Sequence, residues 1–228
     1  MVYFAESICF HRWSDDKEVM MKFLSLILTL LMGECFGVIA VPAMRSITNQ
    51  ISPRAYEMCM LDAAKEGKKE IVKNLVDAGC NVNAKGENGI TALMYAVDIG
   101  NEDFVKYLLE HDCDVNIQTI GDRFSALLLA CLKDYGDIAE MLIDFGANVN
   151  VVNKEGDCPL IFAVNNNNMK LVRKLIFSGA NIYQKNNHGL TPVSVALACH
   201  KAAKKGDKPK WNKIISSLFH LFDVRFKR

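Results

Sequence analysis

The side chains best able to do chemistry in this chain are eight cysteines and five histidines: His11, His111, His188, His200 and His220. His111 with Cys113 is a conceivable nucleophile and base, which covalent catalysis needs within hydrogen-bond reach. The pair straddles the turn after a helical pattern, where polar surface residues are expected in any case. No two cysteines form C-x-x-C, and no sequential His/Cys cluster has zinc-site spacing. A Gly-rich phosphate loop, a nucleophile elbow and a paired-carboxylate constellation do not stand out either. The expectation is no catalytic residue, no metal and no cofactor.

Charge sets a second bound. The formal net charge is +1 over 228 residues, so a strong overall field for nucleic acid or acidic substrates is absent. Lys201, Lys204, Lys205, Lys208, Lys210 and Lys213 cluster near the C-terminus, with Asp207 the only acid among them. They read as a solvated loop, or alternatively as a nuclear-import, anionic-lipid or nucleic-acid patch. Trp211 is the only aromatic interleaved there, so sequence-specific nucleic-acid recognition is not expected.

The elements that carry these residues recur at a fixed period. Ala63, Ala96, Ala130, Ala163 and Ala196 stand 33, 34, 33 and 33 residues apart, each inside a similar stretch. Such a period is the sequence sign of a repeat array. Ser52-Pro53 reads as a helix start, with the first helix running to about Lys65. Thr91, Ser125 and Thr191 can cap the first helix of later copies, whereas Cys158 fills that slot and caps poorly. A second apolar cluster follows each alanine: Ile71, Val72, Leu75, Val76; Phe104, Val105, Leu108, Leu109; Ile138, Ala139, Leu142, Ile143; Leu171, Val172, Leu175, Ile176. Its i, i+1, i+4, i+5 pattern is one face of a helix.

Between the two helices Gly67, Gly100, Asp134 and Asn167 share one offset, and all tolerate positive φ. Gly79, Asp112, Gly146 and Gly179 end the second helix. Short extended pieces around Val82, Val115, Val149 and Ile182 are expected next. Two short helices cannot bury their faces alone, so neighbouring copies must stack. In this register Cys80 and Cys113 stand where Ala147 and Ala180 stand, and Cys59 and Cys131 also fill structural slots. All four read as small buried thiols.

Thr91, Leu93 and Ala96, together with Gly146, Ala147, Asn148, Val149 and Asn150, resemble the ankyrin repeat family. The resemblance covers about 53–222. It implies an all-α ankyrin-repeat solenoid, a curved stack of helix pairs with β-hairpin loops projecting at right angles. Five repeats are expected at about 53–84, 85–117, 118–151, 152–184 and 185–222, within a domain of 53–228. The family's usual histidine after the leucine is replaced by Met94, Leu128, Ile161 and Ser194, which should reduce its capping network. The loop 119–123 is one residue longer than its counterparts. The last second helix, with Ile214, Ile215, Leu218 and Phe219, is displaced by ten residues.

Ahead of the repeats lie a polar extension (1–20), an apolar segment (21–43) and a linker (44–52). The run 23–32 carries no charge, with Lys22 before it and Gly33, Cys35, Gly37 and Ala43 after it. Three readings fit: a secretory signal starting at Met20 or Met21, a membrane span interrupted by Glu34 and Pro42, or an apolar helix capping the first repeat. Localisation follows from the choice: secreted through the endoplasmic reticulum, membrane-associated, or cytoplasmic.

The resemblance implies a non-catalytic module that binds an unidentified protein partner. A repeat stack presents its first helices and loop tips on a concave face. The residue before each reference alanine should point there: Asp62, Tyr95, Leu129, Phe162 and Val195. The last four would form an exposed apolar stripe. Lys85, Glu87, Asp122, Arg123, Lys154 and Asn187 at the loop tips should tune specificity.

Overall fold

Thr91, Ser125 and Thr191 each open a helix in the same way. Their hydroxyl oxygens accept from the backbone N–H of Met94 (3.3 Å), Leu128 (3.2 Å) and Ser194 (3.1 Å). Cys158 has the same extended backbone (φ −97°, ψ 163°) but makes no side-chain cap bond. A buried Met94, Leu128 or Ile161 follows where the family places histidine. Ser194 instead restores a reciprocal cap, since its Oγ accepts from the Thr191 N–H at 2.8 Å.

The computed structural model describes residues 53–204 and 206–226, with side chains as far as 219. Ten helices follow in order among them: α1 (Pro53–Lys65), α2 (Lys69–Asp77), α3 (Ala92–Ile99), α4 (Glu102–Leu109), α5 (Ala126–Leu132), α6 (Gly136–Asp144), α7 (Pro159–Asn165), α8 (Met169–Phe177), α9 (Pro192–Ala202) and α10 (Lys208–Phe226). The segments 1–20, 21–43 and 44–52 lie outside the described residues, as do Ser52, His11 and Lys205. Among the described residues no helix is long and apolar enough to cross a membrane.

The helices pair as α1/α2, α3/α4, α5/α6, α7/α8 and α9/α10. First helices α1, α3, α5, α7 and α9 form one row, while α4, α6, α8 and α10 form a second. Alanine sets the spacing in the first row: Ala96, Ala130, Ala163 and Ala196 are fully buried, so the helices approach without a long side chain between them. Leu108, Leu142 and Leu175 fill the space between the rows, also fully buried. Each such leucine contributes on the order of 1.5–3 kcal/mol by leaving water.

The sharp turns between paired helices all use left-handed backbone, at Gly67, Gly100, Asp134 and Asn167 (φ 71°, 76°, 59° and 56°). At Gly100 space reinforces conformation, because a Cβ there would come within 3.0 Å of the Tyr135 ring. The ends of the second helices behave alike, Asp112 (φ 55°) standing in for glycine.

One expectation from pattern alone is corrected. The pieces around Val82, Val115, Val149 and Ile182 are turns, not extended segments. Asn81, Asp114, Asn148 and Asn181 each use a side-chain oxygen to accept the N–H two residues on, at 3.0, 2.9, 2.9 and 2.9 Å. This local bond outcompetes an extended chain, as Asx turns commonly do. The loops that follow are short hairpins, as the resemblance implies, closed without ladders of paired strands. Among the described residues the one β contact is a bridge between Gln118 and Ser125. Each loop instead closes on itself once, as in Thr119 N–H to Phe124 O (2.8 Å) and Asn186 N–H to Leu190 O (2.9 Å).

Burial departs from expectation at both ends of the stack. Ile71 is 38% exposed although its counterparts Phe104, Ile138 and Leu171 are buried. In α10, Ile214 and Leu218 are buried as expected, but Phe219 is 46% exposed.

Candidate partner-binding face

Tyr95 on α3, Leu129 on α5 and Phe162 on α7 hold equivalent positions, and all three are half-buried with their remaining surface on one side of the first-helix row. Val195 on α9 is not part of that surface, since it is 8% exposed. The stripe therefore has three members, not four.

Tyr95 and Leu129 line a groove of about 540 Å³ with Ile120, Phe124, Asp98 and Asp122. The Phe124 ring lies 6.4 Å from that of Phe162, which continues the apolar surface toward α7. Ile120 is 75% exposed at the rim. Sequence reasoning missed both Ile120 and Phe124. The available signal was the extra residue in the 119–123 loop, which carries Ile120 outward beside Gly121 (φ 86°).

The six expected loop-tip residues are all exposed. Three of them are joined: Lys154 pairs with Asp122, and Asn187 Nδ2 donates to the Lys154 carbonyl at 2.9 Å. Backbone bonds run through the same tips, from Ile120 N–H to Asn88 O (2.7 Å), Lys154 N–H to Asp122 O (3.0 Å) and Asn187 N–H to Glu155 O (2.9 Å). Gly156 permits the last approach, since a Cβ there would meet the Asn186 Cα at 3.0 Å. Lys85 and Arg123 do not line the groove. Arg123 holds left-handed backbone (φ 57°) while its carbonyl accepts from Gln118 Nε2 at 2.6 Å. Glu87, in the turn Glu87–Gly89, and Asp62 act on the groove through their charge. Burial raises the pKa of the Tyr95 hydroxyl above its ordinary value, and Asp62 and Glu87 push it further.

Burial outweighs every other influence on four of the described thiols. Burial, with Glu57 nearby, pushes Cys80 up to about 11. Burial, with Asp114 nearby, does the same to Cys113. Cys131 and Cys158 are raised by burial as well. A thiol held this way is almost wholly protonated near neutrality, and the thiolate is the nucleophile. His111 is engaged elsewhere: its ring stacks at 4.0 Å on Tyr107, and Nδ1 lies 2.7 Å from the Tyr107 carbonyl oxygen. Among the described residues no group of three or more His, Cys, Asp or Glu is placed to hold a metal ion. At the far end, Lys201, Lys204, Lys208, Lys210 and Lys213 are exposed, while Trp211 packs on the core rather than offering a stacking platform.

A second feature escaped the sequence reading. Asn83, Asn116 and Asn150 link one repeat to the next, accepting from the N–H of Asp114 (2.7 Å), Asn148 (2.8 Å) and Asn181 (2.8 Å). The same amides donate to the carbonyls of Asp112 (3.3 Å), Gly146 (3.3 Å) and Gly179 (3.0 Å). Tyr183 takes the equivalent place in the fourth copy, with no side-chain amide to offer.

The family model for ankyrin repeats (three copies) matches residues 60–153 and 127–205. The chain belongs to the ankyrin repeat family. It is 29% identical over 148 residues to ankyrin repeat protein FPV031 of Fowlpox virus (strain NVSL), covering 62% of this chain and 43% of the relative. Mitochondrial disaggregase of Bos taurus is 32% identical over 151 residues, or 64% of this chain and 22% of that protein. Ankyrin repeat domain-containing protein 63 of Homo sapiens is 28% identical over 158 residues, 65% and 41% of the two chains. The matched part is thus less than half of each of these relatives. The ankyrin resemblance accounts for the caps, the left-handed turns and the stacked helix rows together.

Proposed function

We propose that this chain is a non-catalytic protein–protein interaction module whose ankyrin stack takes its partner on the concave face and loop tips. Ankyrin repeats in general mediate protein–protein interaction. The observation that carries the reading here is the row of Tyr95, Leu129 and Phe162, half-buried side by side and continuous with the groove under Ile120. Large apolar and aromatic groups held on a rigid frame suit a binding site, because little freedom is lost when a partner covers them. The tips Asp122, Lys154 and Asn187 border this surface as a hydrogen-bonded unit and would select among partners.

The test is a double substitution, Tyr95→Ala with Phe162→Ala, in the full chain. Capture of the native partner should fall by tenfold or more, since two central aromatic anchors typically cost more than about 2 kcal/mol together. The circular dichroism and melting of the variant should stay near wild type. Undiminished capture by a folded double variant would remove the concave-face reading.

A further inference from the structure

We infer that the groove between Tyr95 and the 119–122 loop takes an extended peptide segment of a protein partner in which an aliphatic or aromatic anchor is flanked by arginine or lysine. This deepens the proposed function and rests on it.

The apolar half of the argument is area. Tyr95, Leu129, Phe124 and Ile120 converge on the groove, and Ile120 stands 75% exposed above it. An incoming side chain that covers Ile120 and the Tyr95 ring removes both from water, each Å² contributing about 25 cal/mol. At about 540 Å³ the groove suits a few side chains of an extended segment better than the flat face of a folded domain.

The charged half is sign. Asp98 and Asp122 line the groove, and among the described residues no lysine or arginine does. Their lysine partners, Lys133 at 2.7 Å from Asp98 and Lys154 on Asp122, stand outside the lining. Both carboxylates are more than half exposed, at 54% and 60%. Such solvated pairs hold together by only about 0–1 kcal/mol. A guanidinium arriving from the groove side can therefore share either carboxylate, with the bidentate geometry arginine favours. Asp62 and Glu87 add negative potential at Tyr95 from the first repeat side. An acidic segment would meet Asp98 and Asp122 ahead of the lysines that stand behind them, so it is disfavoured.

Panning a random dodecapeptide display library on the full chain tests this. Synthetic copies of the selected peptides are then titrated by fluorescence anisotropy. The selected sequences should place arginine or lysine beside a Leu, Ile, Phe or Trp anchor. Glutamate in place of those cations should weaken binding to the wild-type chain about tenfold or more, a readout that needs no protein variant. Asp98→Asn combined with Asp122→Asn should bring a similar loss, and binding should weaken as salt rises to about 0.5 M, where the Debye length shortens. Selection of acidic or uncharged peptides that still depend on Tyr95 would overturn the basic-segment assignment and leave the concave-face reading standing. Peptides that bind Tyr95→Ala as tightly as wild type would remove both. Preferential binding of a synthetic peptide covering 22–32 would give the groove to this chain's own apolar run and also overturn the proposal.

Discussion

At the scale of single residues, side-chain type decides chemistry through surroundings rather than through proximity in sequence. Cys80 and Cys113 have the element that makes a nucleophile, yet burial lifts both from an ordinary 9.0 to about 11. At pH 8 the thiolate fraction is then about a hundredfold lower in the folded chain than in urea. Alkylation followed by peptide mass spectrometry should show these two cysteines reacting about tenfold more slowly when native, because the higher nucleophilicity of a higher-pKa thiolate offsets part of its scarcity, and equal rates would contradict the burial. The sign for stability follows from the raised folded values: this contribution is whole below about pH 9 and is lost as pH climbs through about 11. Cys158 shows the opposite kind of local effect. It occupies the cap slot with the backbone of Ser125 and the same near-complete burial, but sulfur accepts hydrogen bonds weakly. Cys158→Ser should therefore stabilise the chain by about 0.5–1 kcal/mol, read as a rise of a few degrees in Tm. A fall would mean that the hydroxyl cannot reach the N–H three residues on.

Elements are joined by a different set of forces. Ion pairs between neighbouring repeats, such as Lys170 with Asp137 at 2.8 Å, involve side chains more than 60% exposed and contribute little. The asparagine ladder is more directional, because one amide both accepts from and donates to the backbone of the next turn. Asn116 bonds Asn148 N–H and Gly146 O at once. Asn116→Ala should cost about 1–3 kcal/mol, two hydrogen bonds at a net of roughly 0.5–1.5 each. Urea unfolding of the variant should show a lower midpoint with an unchanged slope. Asn116→Asp keeps the acceptor but sets a carboxylate against the Gly146 carbonyl, so it should not restore the loss. Full recovery by aspartate would show that the donated bond is immaterial.

For the whole molecule, a stack of repeats behaves nearly as a one-dimensional array in which each unit leans on its neighbours. The last unit departs most from the pattern, with α9 running to Ala202 before α10 begins at Lys208. Helix α10 nonetheless closes the stack, since Ile214 and Leu218 are fully buried and α10 packs on both α8 and α9. Deleting 207–228 would uncover the apolar sides of α8 and α9. The shortened chain should melt lower and bind the dye ANS. Amide exchange should quicken in α9 first, while α3 and α5 keep their protection. Uniform quickening throughout would instead show that the array unfolds as one unit.

The period, the helix caps, the four left-handed turns and most of the core were legible in the residues. Each depends on a local rule: a hydroxyl finds the N–H three residues on, Gly, Asp and Asn accept positive φ, and apolar side chains recur every 3.6 residues on a helix. The row Tyr95, Leu129 and Phe162 followed from register alone. Other features depend on what stands about 33 residues away, and only the tertiary structure decided them. Asn83, Asn116 and Asn150 look like ordinary turn residues until the next repeat brings a backbone N–H and carbonyl to each amide. Val195 is buried and Ile71 exposed although their places in the pattern match residues that behave otherwise. Ile120 and Phe124 joined the groove because a longer loop folds back over α3 and α5. Local preference thus wrote the repeat, and contact between repeats made the surface.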